Sequence, residues 1–223
     1  MANIVLFLHL VIVLLVPVAV QAKKDNAENV EQQFEVWKHG SFHRFIVKKN
    51  LDYGQYDKLI VFPLHYGELA ISTDVPAKLQ RNWEDFAERD MPAIKDKFQV
   101  LVQEEFGKAE TLQLTTEGGK GVLVAEFRML TFKPKAYRDS SLDTVGQENI
   151  ETVGTLQYRV TLMDSASHEV VGMIEDDIQI SLRRKALNSR SNHFRAWINS
   201  MAFVLEHFHD DMDKLAEASP LKK

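Results

Sequence analysis

Five full positive charges, Arg183, Arg184, Lys185, Arg190 and Arg195, stand between residues 181 and 195 with no Asp or Glu among them, in a chain whose net charge is −5. Guanidinium groups present planar forks of donors that match carboxylate and phosphate oxygens, and the first turn of a following helix adds free backbone N–H groups. The run therefore suits an anion: a partner's acidic surface, a phosphate group or an anionic lipid headgroup. A helix N-terminus already carries partial positive charge, so Arg190 and Arg195 stand there against the local preference for acids. The plainer reading is a solvated linker whose arginines pair with nearby carboxylates, each pair contributing only about 0 to 1 kcal/mol.

Other constellations carry less chemistry. His207, His209, Asp210 and Asp211 form the densest set of metal-ligand types. On a helix His207 and His209 diverge and only His207 and Asp211 share a side, which is two ligands where a site needs three or four, so the set reads as a wet helix face. His39 and His43 have the same spacing but straddle Gly40. In Glu175-Asp176-Asp177, Asp176 shares a strand face with Ile174 and Ile178, where an inward acid is either tuned for catalysis or marks a bulge or edge. His65, Tyr66 and Glu68 follow a strand, the place where open sheets with crossovers bind ligands. Gly118-Gly119-Lys120-Gly121 lacks the spacing of a phosphate loop and precedes a strand, which makes it a hairpin turn. With no G-x-S-x-G, no H-E-x-x-H and no cysteine, the sequence supplies no catalytic residue, no metal site and no cofactor.

The elements that must position these groups are organised around residues 154–181. Leu156, Tyr158, Val160 and Leu162 alternate with polar residues, a polar turn follows at 164–168, and residues 170–180 are again rich in strand formers, which predicts an antiparallel hairpin. Residues 57–63 hold four consecutive apolar residues closed by Pro63 and predict a central strand covered on both faces. Residues 77–106 read as helix, with Asp90 and Pro92 marking an internal restart. A short strand is expected at 111–114 and a further strand at 122–132, and strand, helix, strand order favours parallel neighbours in a mixed sheet. Phe194, Trp197, Ile198, Met201, Leu205, Phe208, Met212 and Leu215 keep a 3.6 period through a last helix capped by Ser191 or Asn192. The polar connection 133–153 is expected to be mobile in the free protein and cut first by proteases near Lys135 or Arg138. The fold class is α+β: a single domain with a mixed β-sheet of about five strands and two long helices packed as a second layer.

A chain of 223 residues with 45% hydrophobic and 26% charged residues suits one domain with its own core. The acidic balance argues against nucleic acid. Residues 4–20 are apolar except for His9 and Pro17, and Val20-Gln21-Ala22 follows. That predicts a signal peptide cleaved after Ala22, with a retained membrane anchor as the alternative because no Lys or Arg precedes the segment. The expected divisions are a signal peptide at 1–22, a tether and N-terminal arm at 23–49, the α+β domain at 50–217 and a tail at 218–223. The product is expected in the periplasm or otherwise exported. Without cysteine it is not a lipoprotein, and membrane contact is expected only peripherally or through an uncleaved N-terminus.

Tyr56-Asp57-Lys58-Leu59-Ile60-Val61-Phe62-Pro63, then a long helix, a strand ending near Leu130-Thr131, and a hairpin turning at Asp164-Ser165 with Glu169-Val170-Val171 beyond, resemble the bacterial envelope proteins grouped as domain of unknown function 3313. The resemblance covers roughly residues 50–215. In that family the turn more often reads Asp-Ser, two residues, Gly-Glu. Here His168 stands in the glycine's place, which suggests a differently shaped turn. Many members are lipoproteins, which this chain cannot be. The resemblance implies an envelope protein and transfers no catalytic residue. The expected function is that of an exported, non-catalytic accessory or protein-interaction module with an envelope protein as partner. The alternative is a small-molecule-binding protein or hydrolase using the loop after the first strand.

Overall fold

The computed structural model describes residues 33–138 and 148–220. The expected signal peptide, most of the tether, residues 139–147 of the polar connection and the last three residues lie outside the described residues. In chain order the strands are β1 (Phe34–Val36), β2 (Arg44–Lys48), β3 (Lys58–Val61), β4 (Ala70–Ile71), β5 (Gln113–Leu114), β6 (Val122–Pro134), β7 (Asn149–Asp164) and β8 (Val170–Leu187). The helices are α1 (Ala77–Asn82), α2 (Phe86–Arg89), α3 (Met91–Phe106) and α4 (Arg190–Ala218). Among the described residues no helix is long and apolar enough to cross a membrane.

Period-2 alternation builds the middle of the sheet. Leu123, Ala125, Phe127 and Met129 of β6, Leu156, Val160 and Leu162 of β7, and Ile174 and Ile180 of β8 are buried on one face. Helices α3 and α4 cover that face, with Phe98 of α3 and Phe208 of α4 packing on Phe127 at ring distances of 5.3 and 5.4 Å. The opposite face carries ion pairs, Glu68–Arg128–Glu126 and Arg159–Glu175–Arg44. This is the α+β arrangement expected, a mixed sheet with helices as a second layer.

Among the described residues the sheet has eight strands, not about five. Its order is β1-β2-β8-β7-β6-β3-β5, with β4 also on β6. Strands β3 and β4 run parallel to β6, and β5 parallel to β3; the other pairs are antiparallel. The N-terminal arm is part of the sheet, because β2 pairs with β8 from Arg44↔Glu175 to Val47↔Gly172. Strand β3 is not central. It has the two-residue β5 as its outer neighbour, and Ile60, on the face away from the helices, and Val61, at the end of the strand, are only half-buried. The helical stretch 77–106 breaks into three pieces, with Pro92 in the first turn of α3 as expected. Helix α4 begins earlier than predicted: Ser189 is the cap, its Oγ accepting the Asn192 N–H at 3.3 Å, and Ser191 and Asn192 lie in the first turn.

The glycine turn at 117–121 is not a hairpin turn, since β5 and β6 flank β3 in parallel. It closes over the start of β3: the Gly121 carbonyl accepts the N–H groups of Asp57 and Lys58 at 3.1 and 3.2 Å. Gly121 has φ +77°, a conformation that disfavours a side chain.

At the β7–β8 turn, Asp164 Oδ1 accepts the N–H groups of Ala166 and Ser167 at 3.0 and 2.7 Å, and His168 takes φ +59°. The turn therefore keeps the left-handed residue that glycine would supply, and it is the histidine that adapts. A non-glycine residue is disfavoured there by about 1–2 kcal/mol, against about 0.5–1 kcal/mol of extra chain entropy lost by glycine. His168→Gly is thus expected to raise stability by about 0.5–1 kcal/mol, a gain of a few degrees in a thermal melt.

Candidate functional site

The basic run divides in the fold. Strand β8 leaves register with β7 between Ser181, opposite Thr152, and Ala186, opposite Ile150. Residues 182–185 thus face the single residue Glu151, and a bulge of this kind re-aims side chains out of the ladder. Arg183, Arg184 and Lys185 are all exposed on it. Among the described residues none of the three forms an ion pair. Arg183 lines a shallow depression with Phe203, which is 51% exposed.

The other two cations are engaged. Arg190 holds Asp90 through Nε at 2.9 Å and Nη2 at 2.7 Å, and Arg195 donates to Asn192 Oδ1. The conflict at the start of α4 is thereby relieved: the acid that suits a helix N-terminus comes from the junction of α2 and α3.

Asp90 also lies 3.1 Å from Arg138 Nη1. Expected as an exposed cleavage point, Arg138 is instead buried, with its side chain 6% exposed. Asp85 and Asp90 flank its guanidinium, the Trp83 ring lies 5.8 Å beneath it, and its backbone N–H donates to Asn82. Two carboxylates and an indole face compensate the charge for leaving water. For Asp85, burial acts to raise the carboxyl pKa, but hydrogen bonds from Arg89 and Arg138 outweigh it and hold the group below the usual range.

These residues frame a cavity of about 470 Å³ between the α1–α3 segment and the first turn of α4. Trp83, Phe86 and Trp197 wall it, with Phe86 5.0 Å from each of the two indoles. The His193 ring stacks on Trp83 at 5.7 Å and 4°, and its Nε2 lies 2.6 Å from Asn188 Oδ1. Burial pushes the His193 imidazole down to about 4, and the Arg138 charge adds to the effect. The sequence shows Trp83, Phe86 and Trp197 at helical spacing and gives no sign of the cavity. Their helical spacing was the available signal, and it cannot distinguish a filled core from one with a gap.

The remaining candidates have structural partners. Asp211 is not on a wet face: it is fully buried, accepting the Ser41 N–H at 2.5 Å and the Ser41 hydroxyl at 3.1 Å, with Lys214 Nζ at 3.3 Å. His209 Nδ1 lies 2.8 Å from Glu105, and His207 packs on Phe203. Among the described residues no three such groups converge as metal ligands. Asp176 binds His43, whose pKa is raised by the hydrogen bond and charge of that carboxylate. Glu68 is held by Arg128 at 3.1 Å, while His65 forms an isolated bridge with Arg128. The two carboxylates thus answer to different cations.

The family model described as "Protein of unknown function (DUF3313)" matches residues 28–199. No curated protein matches the sequence. Among solved structures, protein XCC0632 from Xanthomonas campestris, of family model DUF330, is 10% identical with a TM-score of 0.44, over 83% of this chain and 95% of that one. A putative neuraminyllactose-binding hemagglutinin homolog from Helicobacter pylori is 9% identical with a TM-score of 0.38, over 77% and 92%. The PelC dodecamer from Paraburkholderia phytofirmans is 11% identical with a TM-score of 0.33, over 69% and 89%. At such scores a likeness carries no argument about function.

Proposed function

The chain belongs to the DUF3313 family of proteins of unknown function, membership brings no activity with it, and we propose that the protein is an exported, non-catalytic module that works in the cell envelope by binding an acidic surface of a partner protein. The observation that carries this reading is the bulge of β8, which presents Arg183, Arg184 and Lys185 side by side, exposed and without ion-pair partners among the described residues. Cations without an ion-pair partner among the described residues keep their N–H donors available for a partner's carboxylates, and Phe203 beside Arg183 adds an apolar contact. Export rests on the apolar segment at 4–20 and the small residues before Lys23. The rival reading, a binder or hydrolase using the loop after β3, is weaker because Glu68 is taken by Arg128 and Asp176 by His43.

The test reverses Arg183, Arg184 and Lys185 to Glu together and compares cross-linked partners in intact cells, with Arg195→Glu as a control outside the bulge. The triple variant is expected to melt at the wild-type temperature and to lose its cross-linked protein, as wild type does when salt is raised. Unchanged cross-linking by a folded triple variant removes the proposal. Salt-sensitive binding to anionic lipid vesicles with no protein captured makes the bulge a lipid site and overturns the protein partner.

A further inference from the structure

We propose that the depression between β8 and α4 holds an extended, dipolar segment of a partner protein, a proposal that rests on the partner reading of the β8 bulge. The segment carries a carboxylate at one end, an apolar side chain in the middle and a basic side chain at the other. Strand β2 accompanies β8 only as far as Glu175. Beyond that residue α4 lies beside the edge of β8, and the two border a depression of about 480 Å³. The bulge supplies one end of this space.

The chain order sets the direction. Helix α4 follows β8 after a short connection and runs back along it: Asn192 Nδ2 donates to the Leu187 carbonyl at 2.6 Å, and further on Ser200 accepts the Ser181 N–H at 3.3 Å and donates to the Gln179 carbonyl at 3.1 Å. Asp177 and Glu206 lie past that contact toward one end, and Arg183 lies toward the other. The strand from Asp177 to Arg183 covers about 20 Å, at ~3.3 Å per residue. Because Ser200 already fills two of the edge's backbone groups, side chains rather than ladder hydrogen bonds select what lies here.

Charge chooses the occupant. Arg183, Asp177 and Glu206 are exposed, and among the described residues none of their side chains forms an ion pair. A segment with a carboxylate toward Arg183 and an ammonium or guanidinium toward Asp177 and Glu206 complements both ends. A uniformly acidic segment meets repulsion at Asp177 and Glu206, and a uniformly basic one meets it at Arg183. The middle is apolar. Phe203 is 51% exposed, its ring lies 3.9 Å from that of His207, and the half-buried Ile178 and Ala202 line the same depression. An aliphatic or aromatic side chain seated on Phe203 thus sits between the two charged contacts.

The experiment selects a displayed library of random peptides, long enough to span about 20 Å, on the purified protein as cells produce it, and measures the most enriched peptide by fluorescence anisotropy. Enriched sequences are expected to carry an acid and a base separated by an apolar stretch. Arg183→Glu is expected to weaken that peptide at least tenfold, Asp177→Lys with Glu206→Lys by a similar factor, and Phe203→Ala several-fold, all with unchanged melts. The double lysine variant separates the two readings: an acidic surface recognised by the bulge alone would bind it as well as wild type or better. Purely acidic selected peptides that keep their affinity for the double variant would overturn the dipolar segment and leave the acidic partner standing. So would cross-linking in cells that the triple bulge variant loses and the double variant keeps. A library that yields no binder, or binders indifferent to all the substitutions, would also overturn the proposal.

Discussion

Asp211→Ala is expected to lower the unfolding free energy by about 2 kcal/mol and to loosen the N-terminal arm ahead of the rest of the domain, since a hydrogen bond to a charged acceptor is worth about 1.5–3 kcal/mol. The carboxylate sits on α4, fully buried, and reaches 170 residues back along the chain to take both the backbone N–H and the hydroxyl of Ser41. Gly40 belongs to the same contact: a Cβ there would come within 2.6 Å of Asp211 Oδ2, so only glycine lets the arm approach this closely. Truncating the carboxylate leaves the Ser41 groups to water, and Lys214, half exposed, turns to solvent at little cost. The arm keeps its apolar anchors, Trp37, Phe42, Phe45 and Val47. Urea unfolding gives the total loss, and hydrogen exchange locates it: amides of β1 and β2 should exchange faster while those of β7 stay protected. Ser41→Ala, which removes only the hydroxyl bond, should lose less than half as much. Unchanged exchange in β1 and β2 would show that the aromatic anchors alone hold the arm.

That contact also shows where the sequence could be read and where it could not. Strands β6, β7 and β8 and helix α4 are each long enough to repeat their pattern several times, so Leu156, Tyr158, Val160 and Leu162, or Trp197, Met201, Leu205 and Phe208, declare a buried face by themselves. Strands β1 and β4 have three and two residues, too few to show any period, and β2 lies in the arm, so the expected number of about five falls short. Asp211 was misplaced for a different reason. Acids on amphipathic helices usually face water, and what covers this one is an arm joined far away in the chain. The same holds for the cavity: Arg138 lies in a polar connection, Asp90 at a helix junction and Arg190 at a helix start, and nothing local ties them together. In the basic run, types and spacing treat the five cations alike, and only the bulge between Ser181 and Ala186 separates the exposed three from the two already engaged.

Stability is expected to fall by about 3 kcal/mol between pH 6.5 and pH 4 through His193 alone, a shift of one pKa unit being worth about 1.4 kcal/mol. The imidazole is buried against Trp83, with the Arg138 charge adding to the effect of burial and the Asp90 charge opposing it, and accepts a proton in the fold only near pH 4 against an ordinary value of 6.5. In that window the unfolded chain binds a proton that the folded chain refuses, so acid draws the equilibrium toward unfolding. The contribution is absent above pH 6.5 and complete once the pH is below about 4. Other groups act elsewhere or oppositely. Asp85 and Asp164, held below their ordinary 3.8 because hydrogen bonds outweigh burial, lose their contributions only in stronger acid. Exposed His43, raised by Asp176, contributes stability below pH 6.5 that is lost as pH rises through its folded value, which is the reverse sign. His193→Gln removes the titrating group while keeping an amide that can meet Asn188, so its stability should be nearly flat from pH 6.5 to 4.5 where wild type declines. Denaturant unfolding of both proteins at half-unit pH steps makes the comparison, and parallel curves would mean that His193 takes its proton without resistance from its surroundings.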